Sequence, residues 1–175
     1  MNQNEINRLN ELSQEIGKWS EENFGDNGMG EFKHCRPLMG ITEEYGEYID
    51  ATRMDDIRDA LADMGIYCLD FCYQTGCVIQ EVDWEGLELE SCLGKMNRIV
   101  LKRIQKIRGY DDDNKFESEL TFYCSCFFHV LDDNLYAGTI GKTYPSIVQL
   151  IDDVWEKTVS KRNWKANKEN GAANV

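Results

Sequence analysis

Apolar residues recur at helical spacing along most of the chain. Almost nothing alternates with the period of a half-buried strand. Ile6, Leu9, Leu12, Ile16 and Trp19 fall on one side of a helix predicted over residues 3–23. Residues 25–36 contain three glycines and read as a loop. Thr42 then reads as the N-cap of a helix running to about Arg53, with acids in its first turn. A third helix starts at Asp55 or Asp56, runs to about Gln74, and is ended by Gly76. A fourth spans about 84–107 and stops at Gly109, a residue type favoured just past a helix C-terminus. Residues 116–131 are apolar and aromatic enough for a buried helix or a strand, and their helical neighbours favour helix. A glycine-bearing loop around Gly138 and Gly141 leads into a last helix over about 145–162. The tail 165–175 has no apolar periodicity and is expected to be mobile.

An amphipathic helix, an acidic turn and a shorter apolar helix occur in that order at 41–74 and again at 88–131. Two such helix-pair halves, 38–76 and 84–131, packed together would make a four-helix core. The expected fold class is therefore all-α, a single domain over 1–164 with additional N- and C-terminal helices.

Composition narrows the functions open to such a fold. The length of 175 residues suits one domain, and a 42% hydrophobic content can fill a core. The formal net charge is −13, which argues against nucleic acid held by its backbone and against an anionic membrane surface. No apolar run reaches the ~18 residues of a membrane span, and the N-terminus lacks the basic and apolar regions of a signal peptide. The seven cysteines form no Cys-x-x-Cys motif and sit mostly in apolar runs. They read as reduced, mostly buried thiols of a cytoplasmic protein. A zinc site from Cys124, Cys126 and His129 lacks the usual ligand spacing.

The acids are concentrated where chemistry can use them. At about 100° per residue, Glu43, Glu47 and Asp50 share one helix face, with Glu44 at its border. On the next helix Asp56, Asp59, Asp63 and Asp70 form a second acidic stripe. If the two helices pack antiparallel, four or five carboxylates converge. Like charges on one face repel by a few tenths of a kcal/mol per pair. A divalent cation reverses that sign. Mg²⁺ prefers hard oxygen ligands and leaves positions for water and phosphate oxygens. Such ions let an acidic protein act on an anionic triphosphate. The alternative is a solvated face, since Ile41, Tyr45, Tyr48 and Ile49 lie roughly opposite Glu43 and Glu47.

The spacing Glu43-Glu44-Tyr45-Gly46-Glu47, then Asp59-Ala60-Leu61-Ala62-Asp63, then IYCLDFC, resembles the MazG-like, all-α NTP pyrophosphohydrolases. Their signature is EExxE followed by ExxD. Trp19 with Asn23-Phe24-Gly25, the phrase LKRIQKIRG at 101–109 and VWEKTVSKRNW at 154–164 are similar to small phage-type members, the MazZ-like ones. These pieces are scattered over residues 19–164. The resemblance implies hydrolysis of a (deoxy)nucleoside triphosphate to the monophosphate and pyrophosphate, with Mg²⁺ or Mn²⁺, in nucleotide-pool control. It implies Glu44, Glu47 and Asp63 as metal ligands. Ala60 stands where the signature has Glu, and Asp59, four before Asp63, is the substitute. Glu43 would hold the attacking water or support a ligand. The phrase LKxxQxIRG comes later here than in many relatives, so Lys95, Lys102 or Arg108 would neutralise the triphosphate from the opposite side. The alternative is a solvated basic face. Trp19, Asn23 and Phe24 would stack on and hydrogen-bond the base, with core packing the alternative for Trp19. (d)GTP is the first substrate expected, ahead of dUTP or dCTP. The resemblance also implies a homodimer or homotetramer, in a host cytoplasm if phage-encoded.

YAGTIGKT at 136–143 ends like a P-loop, but Tyr136 stands where the first glycine belongs and no strand precedes it. DDDNKFESE lacks the glycine and final glutamate of an EF-hand. His34 and His129 have no partner pattern. The competing class is a non-catalytic acidic helical protein: a DNA mimic, a scaffold or a nucleotide-sensing regulator. A mimic needs acids spread over a long surface, whereas here they concentrate at 43–63.

Overall fold

A computed structural model describes residues 1–25, 32–107, 112–138 and 146–162. Among them there are α-helices and short 3₁₀ turns, with no strand, so the fold is all-α. Helix α1, Gln3–Phe24, starts at a capping box. The Asn2 side chain accepts from the backbone N–H groups of Asn4 and Glu5, and Glu5 accepts from that of Asn2 at 2.8 Å. Ile6, Leu9, Leu12 and Ile16 are buried on one face, as their spacing predicts.

Helix α2, Cys35–Asp50, starts a full two turns before the predicted Thr42. Its N-cap, His34, makes no side-chain cap bond, so no polar signature marked the start. Pro37 sits in its first turn, where a missing N–H costs nothing. Burial of Pro37 and Leu38 holds that turn, and the Thr42 hydroxyl donates to the Leu38 carbonyl at 3.0 Å from inside the helix. Residues 51–53 turn the chain back into α3, Met54–Thr75, which ends at the left-handed Gly76 (φ 77°).

Residues 77–88 run without helix over α1. Asn10 clasps this strap through both Ile79 backbone groups, at 2.8 and 2.9 Å. Helix α4 therefore begins at Leu89 rather than Trp84, whose ring instead stacks on His129 at 5.4 Å. It ends at Ile104, with Lys106 at φ 52° beyond it. Gly109 and Gly141 lie outside the described residues. Helix α5, Asp113–Gly138, resolves the apolar stretch as helix, buried along Leu120, Cys124, Phe127, Phe128 and Leu131. Helix α6, Ile147–Lys157, is capped by Ser146 and followed by the 3₁₀ turn Val159–Lys161. The proposed mobile tail, 165–175, also lies outside the described residues.

Packing centres on α3, which touches α1, α2, α5 and α6. Leu61, Met64, Leu69 and Phe71 are wholly buried on it, each contributing about 1.5–3 kcal/mol. Helix α3 is buried on more than one face, which explains its weak amphipathicity. The terminal helices are thus integral to the core, and the pairs α2/α3 and α4/α5 are only part of it. No helix among the described residues is long and apolar enough to cross a membrane.

Helices α1 and α3 meet closely at Gly17. A β-carbon there would lie 2.0 Å from Cγ of Tyr73. Gly17→Ala should therefore cost about 1–3 kcal/mol, the range for overpacking, read as a lower urea midpoint with an unchanged slope. An unchanged midpoint would contradict this close contact.

Candidate functional site

The antiparallel turn at 51–53 brings the two acidic stripes together. Glu44 occupies the α2 face that turns to α3, one turn from buried Ile41. Ile49, predicted on the buried side, is exposed. Burial pushes the Glu44 carboxyl up to about 8, helped by the negative charges of Asp63, Glu47, Glu43 and Asp59. Asp63 is pushed up to about 6 by burial and by Asp59, and Arg162 opposes that rise. Of the acids on the two stripes, Glu43, Glu47 and Asp59 thus act electrostatically on both Glu44 and Asp63. Ala60 is buried in the core, so an acid at that position would point away from it. Asp59 is exposed and acts on both Glu44 and Asp63.

A cavity of about 370 Å³ opens beside Asp63, within the ~300–1,000 Å³ of small-molecule sites. Trp19, Phe24, Arg36, Tyr67 and Arg162 line it. Trp19 packs edge-on to Phe24 and to Trp155, and its Nε1 donates to the Arg162 carbonyl at 3.2 Å. It serves the core and the cavity together. Asn23 donates Nδ2 to the Trp19 carbonyl at 2.9 Å, a bond within its own helix.

Arg36 is the cation the sequence reading missed. Its guanidinium donates to Asp70 at 2.9 Å and to the Ser20 hydroxyl, and lies 4.3 Å from the Phe24 ring centroid. Its Nη1 is buried without a hydrogen-bond partner. The signal was present: Arg36, Gly40, Glu43 and Glu47 recur at helical spacing. A helix started at Thr42 leaves Arg36 in a loop and hides it. Gly40 lets α2 approach α3, since a β-carbon there would stand 2.6 Å from the Tyr67 ring. Arg162 belongs to the C-terminal phrase noted above, which carried no assigned role.

The predicted phosphate-binding lysines lie elsewhere in this chain. Lys95 and Lys102 line a separate cleft with Arg98, Phe122 and Tyr123. Their face of α4 turns toward α5, whereas among the described residues Arg36 and Arg162 are the cations that line the cavity beside Asp63. Arg108 lies outside the described residues.

The donor set fits a hard divalent ion. It is all oxygen, and its burial and mutual repulsion hold two carboxyls above their ordinary range, a cost a cation removes. The carboxylates are not drawn in to ligand distance. Among the described residues, the one trio of His, Cys, Asp or Glu ligand atoms within 4.8 Å is Cys68, Cys72 and Cys124. Cys124 therefore faces α3 rather than Cys126 and His129, and the zinc trio considered from sequence is not assembled.

Arg162→Ala removes the positive charge opposing the rise at Asp63. The Asp63 carboxyl should then titrate above its present value of about 6, measured by carboxyl-carbon NMR. An unmoved titration would separate Arg162 from the site.

No family model, curated protein or solved structure matches this chain.

Proposed function

We propose that this chain is a metal-dependent nucleoside triphosphate pyrophosphohydrolase of the MazG-like type, converting a (d)NTP to the monophosphate and pyrophosphate, with (d)GTP the first candidate. One observation carries the reading: Glu44, Glu47, Glu43 and Asp59 lie within electrostatic reach of Asp63, which lines a cavity together with two arginines and the rings of Trp19, Phe24 and Tyr67. Charge for polyanion binding, faces for a base and acids for hydrolysis are thus adjacent.

Glu44, Glu47, Asp59 and Asp63 would hold Mg²⁺ or Mn²⁺, which supplies charge to offset the triphosphate and polarise its phosphorus. Arg162 and Arg36, which line the cavity, offer positive charge to phosphate oxygens. Trp19 and Phe24 offer ring faces to the base. Exposed Glu43 holds the attacking water and accepts its proton. The water oxygen attacks the α-phosphorus, the α–β bridging bond breaks, and pyrophosphate leaves. The same reading expects a homodimer or homotetramer.

The test is a panel of ribo- and deoxynucleoside triphosphates with Mg²⁺ or Mn²⁺, the products separated by chromatography. Monophosphate plus pyrophosphate from one or two substrates is the expected result. Diphosphate plus phosphate would overturn the reaction. Stabilisation by nucleotide without turnover would make the chain a nucleotide-sensing regulator, and neither effect would make it an acidic binding protein.

A further inference from the structure

The α3–α5 interface holds a second cluster that the acid site does not use. Cys68 and Cys72 are four residues apart on α3, so both sulfurs leave the same helix face. Cys124 meets them from α5, and the three Sγ atoms lie within 4.8 Å of one another. All three residues are wholly buried, and all are free thiols. Cys77, just past the Gly76 cap, borders Cys124 but stands outside that trio, its thiol donating to the Glu117 carbonyl at 3.8 Å. The Thr75 hydroxyl donates to the Cys77 sulfur at 3.2 Å.

We propose that Cys68, Cys72 and Cys124 bind one Zn²⁺ ion, with Cys77 as the fourth ligand. Zn–S bonds of about 2.3 Å in a tetrahedron put sulfurs about 3.8 Å apart. The trio is within about 1 Å of that spacing as it stands, a difference side-chain rotation can close. Soft sulfur donors select such an ion over Mg²⁺ or Mn²⁺, which take the oxygens of the acid cluster. Charge favours Zn²⁺ over Cu⁺, because four thiolates leave a net −2 with the first and −3 with the second in a dry core. Each thiol gives its proton to solvent as the ion enters. The Thr75 hydroxyl, bonded to Cys77, supports the sulfur charge from outside the ligand set. The bound ion would pin α3, which carries Asp59 and Asp63, to α5.

The test uses the full chain, produced with zinc in the medium and purified under reducing conditions without chelator. Elemental analysis and native mass spectrometry should find about one Zn²⁺ per chain, in line with a closed structural site. Cys72→Ala and Cys124→Ala should lose it, and Cys126→Ala should keep it. Because a core substitution can unfold the chain, the wild type carries a second arm. Exchange of its zinc for Co²⁺ should produce a thiolate-to-cobalt charge-transfer band. Wild-type protein that is zinc-free, takes up none after anaerobic reduction and shows every cysteine titrating in denaturant would overturn the proposal, leaving the sulfurs as core filling. Two cysteines missing from that titration would also overturn it, in favour of a disulfide. None of these readouts involves nucleotide, so failure of the pyrophosphohydrolase reading leaves this result standing.

Discussion

Glu47→Gln should lower kcat/KM for the triphosphate by about 100-fold or more while leaving the fold intact. Glu47 is exposed on α2 and adds negative charge at both Glu44 and Asp63. Gln keeps the shape and removes the charge that would hold the metal. Charge stabilisation by a bound ion is worth several kcal/mol in a transition state. Each ~1.4 kcal/mol is tenfold in rate, so loss of half that effect already gives the predicted drop. Stability should move by no more than about 0.5 kcal/mol, and upward, because one of five mutually repelling acids is gone. Steady-state kinetics at saturating Mg²⁺, paired with a thermal melt, checks both parts. Retained turnover would remove Glu47 from the site.

The second large effect is on stability and its pH dependence. The Glu44 carboxyl ordinarily titrates near 4.5 and is pushed up to about 8 in the fold. Between those values the folded chain holds a proton that the unfolded chain has released. Stability without metal should therefore fall as pH rises through that window and level off above it. Asp63, raised from 3.8 to about 6, adds a fall in the same direction at the acid end. Glu44→Gln cannot ionise, so its stability should lack the Glu44 part of that slope. At pH 9 it should exceed the wild type by on the order of 2 kcal/mol, after allowance for solvent screening. Mg²⁺ should reverse the order. A ligand must be ionised to bind, so wild-type stability should gain more from Mg²⁺ at pH 9 than at pH 6, and the variant should gain less at both. Denaturant unfolding across pH, with and without Mg²⁺, reads all of this. Superimposable pH profiles for the two proteins would show that Glu44 carries no buried proton.

The parts of the fold that could be read from the chain were those fixed by local rules. Helix α1 follows from its apolar spacing, and α3 ends where Gly76 takes a left-handed turn. Helix α2 shows the limit. Without a capping side chain at His34, local chemistry favoured Thr42, and the true start rests on burial of Pro37 and Leu38 against the rest of the molecule. That one error displaced Arg36 from the helix face it shares with Gly40, Glu43 and Glu47. Trp84 is a second case. Its apolar character fitted a helix, but its ring is stacked on His129 more than 40 residues away.

The sequence by itself determined the helical class and the concentration of acids on two successive helices, because helix periodicity is local. Only the tertiary structure decided which carboxyl is buried, since Glu44 and not Ile49 turns to α3. It also decided that Arg36 and Arg162, not Lys95 and Lys102, border the cavity. The meeting of Cys124 with Cys68 and Cys72 was decided there too. Those facts depend on how one helix is rotated against another. That rotation is set by the sum of many small apolar contacts around α3, and no local stretch of sequence encodes that sum.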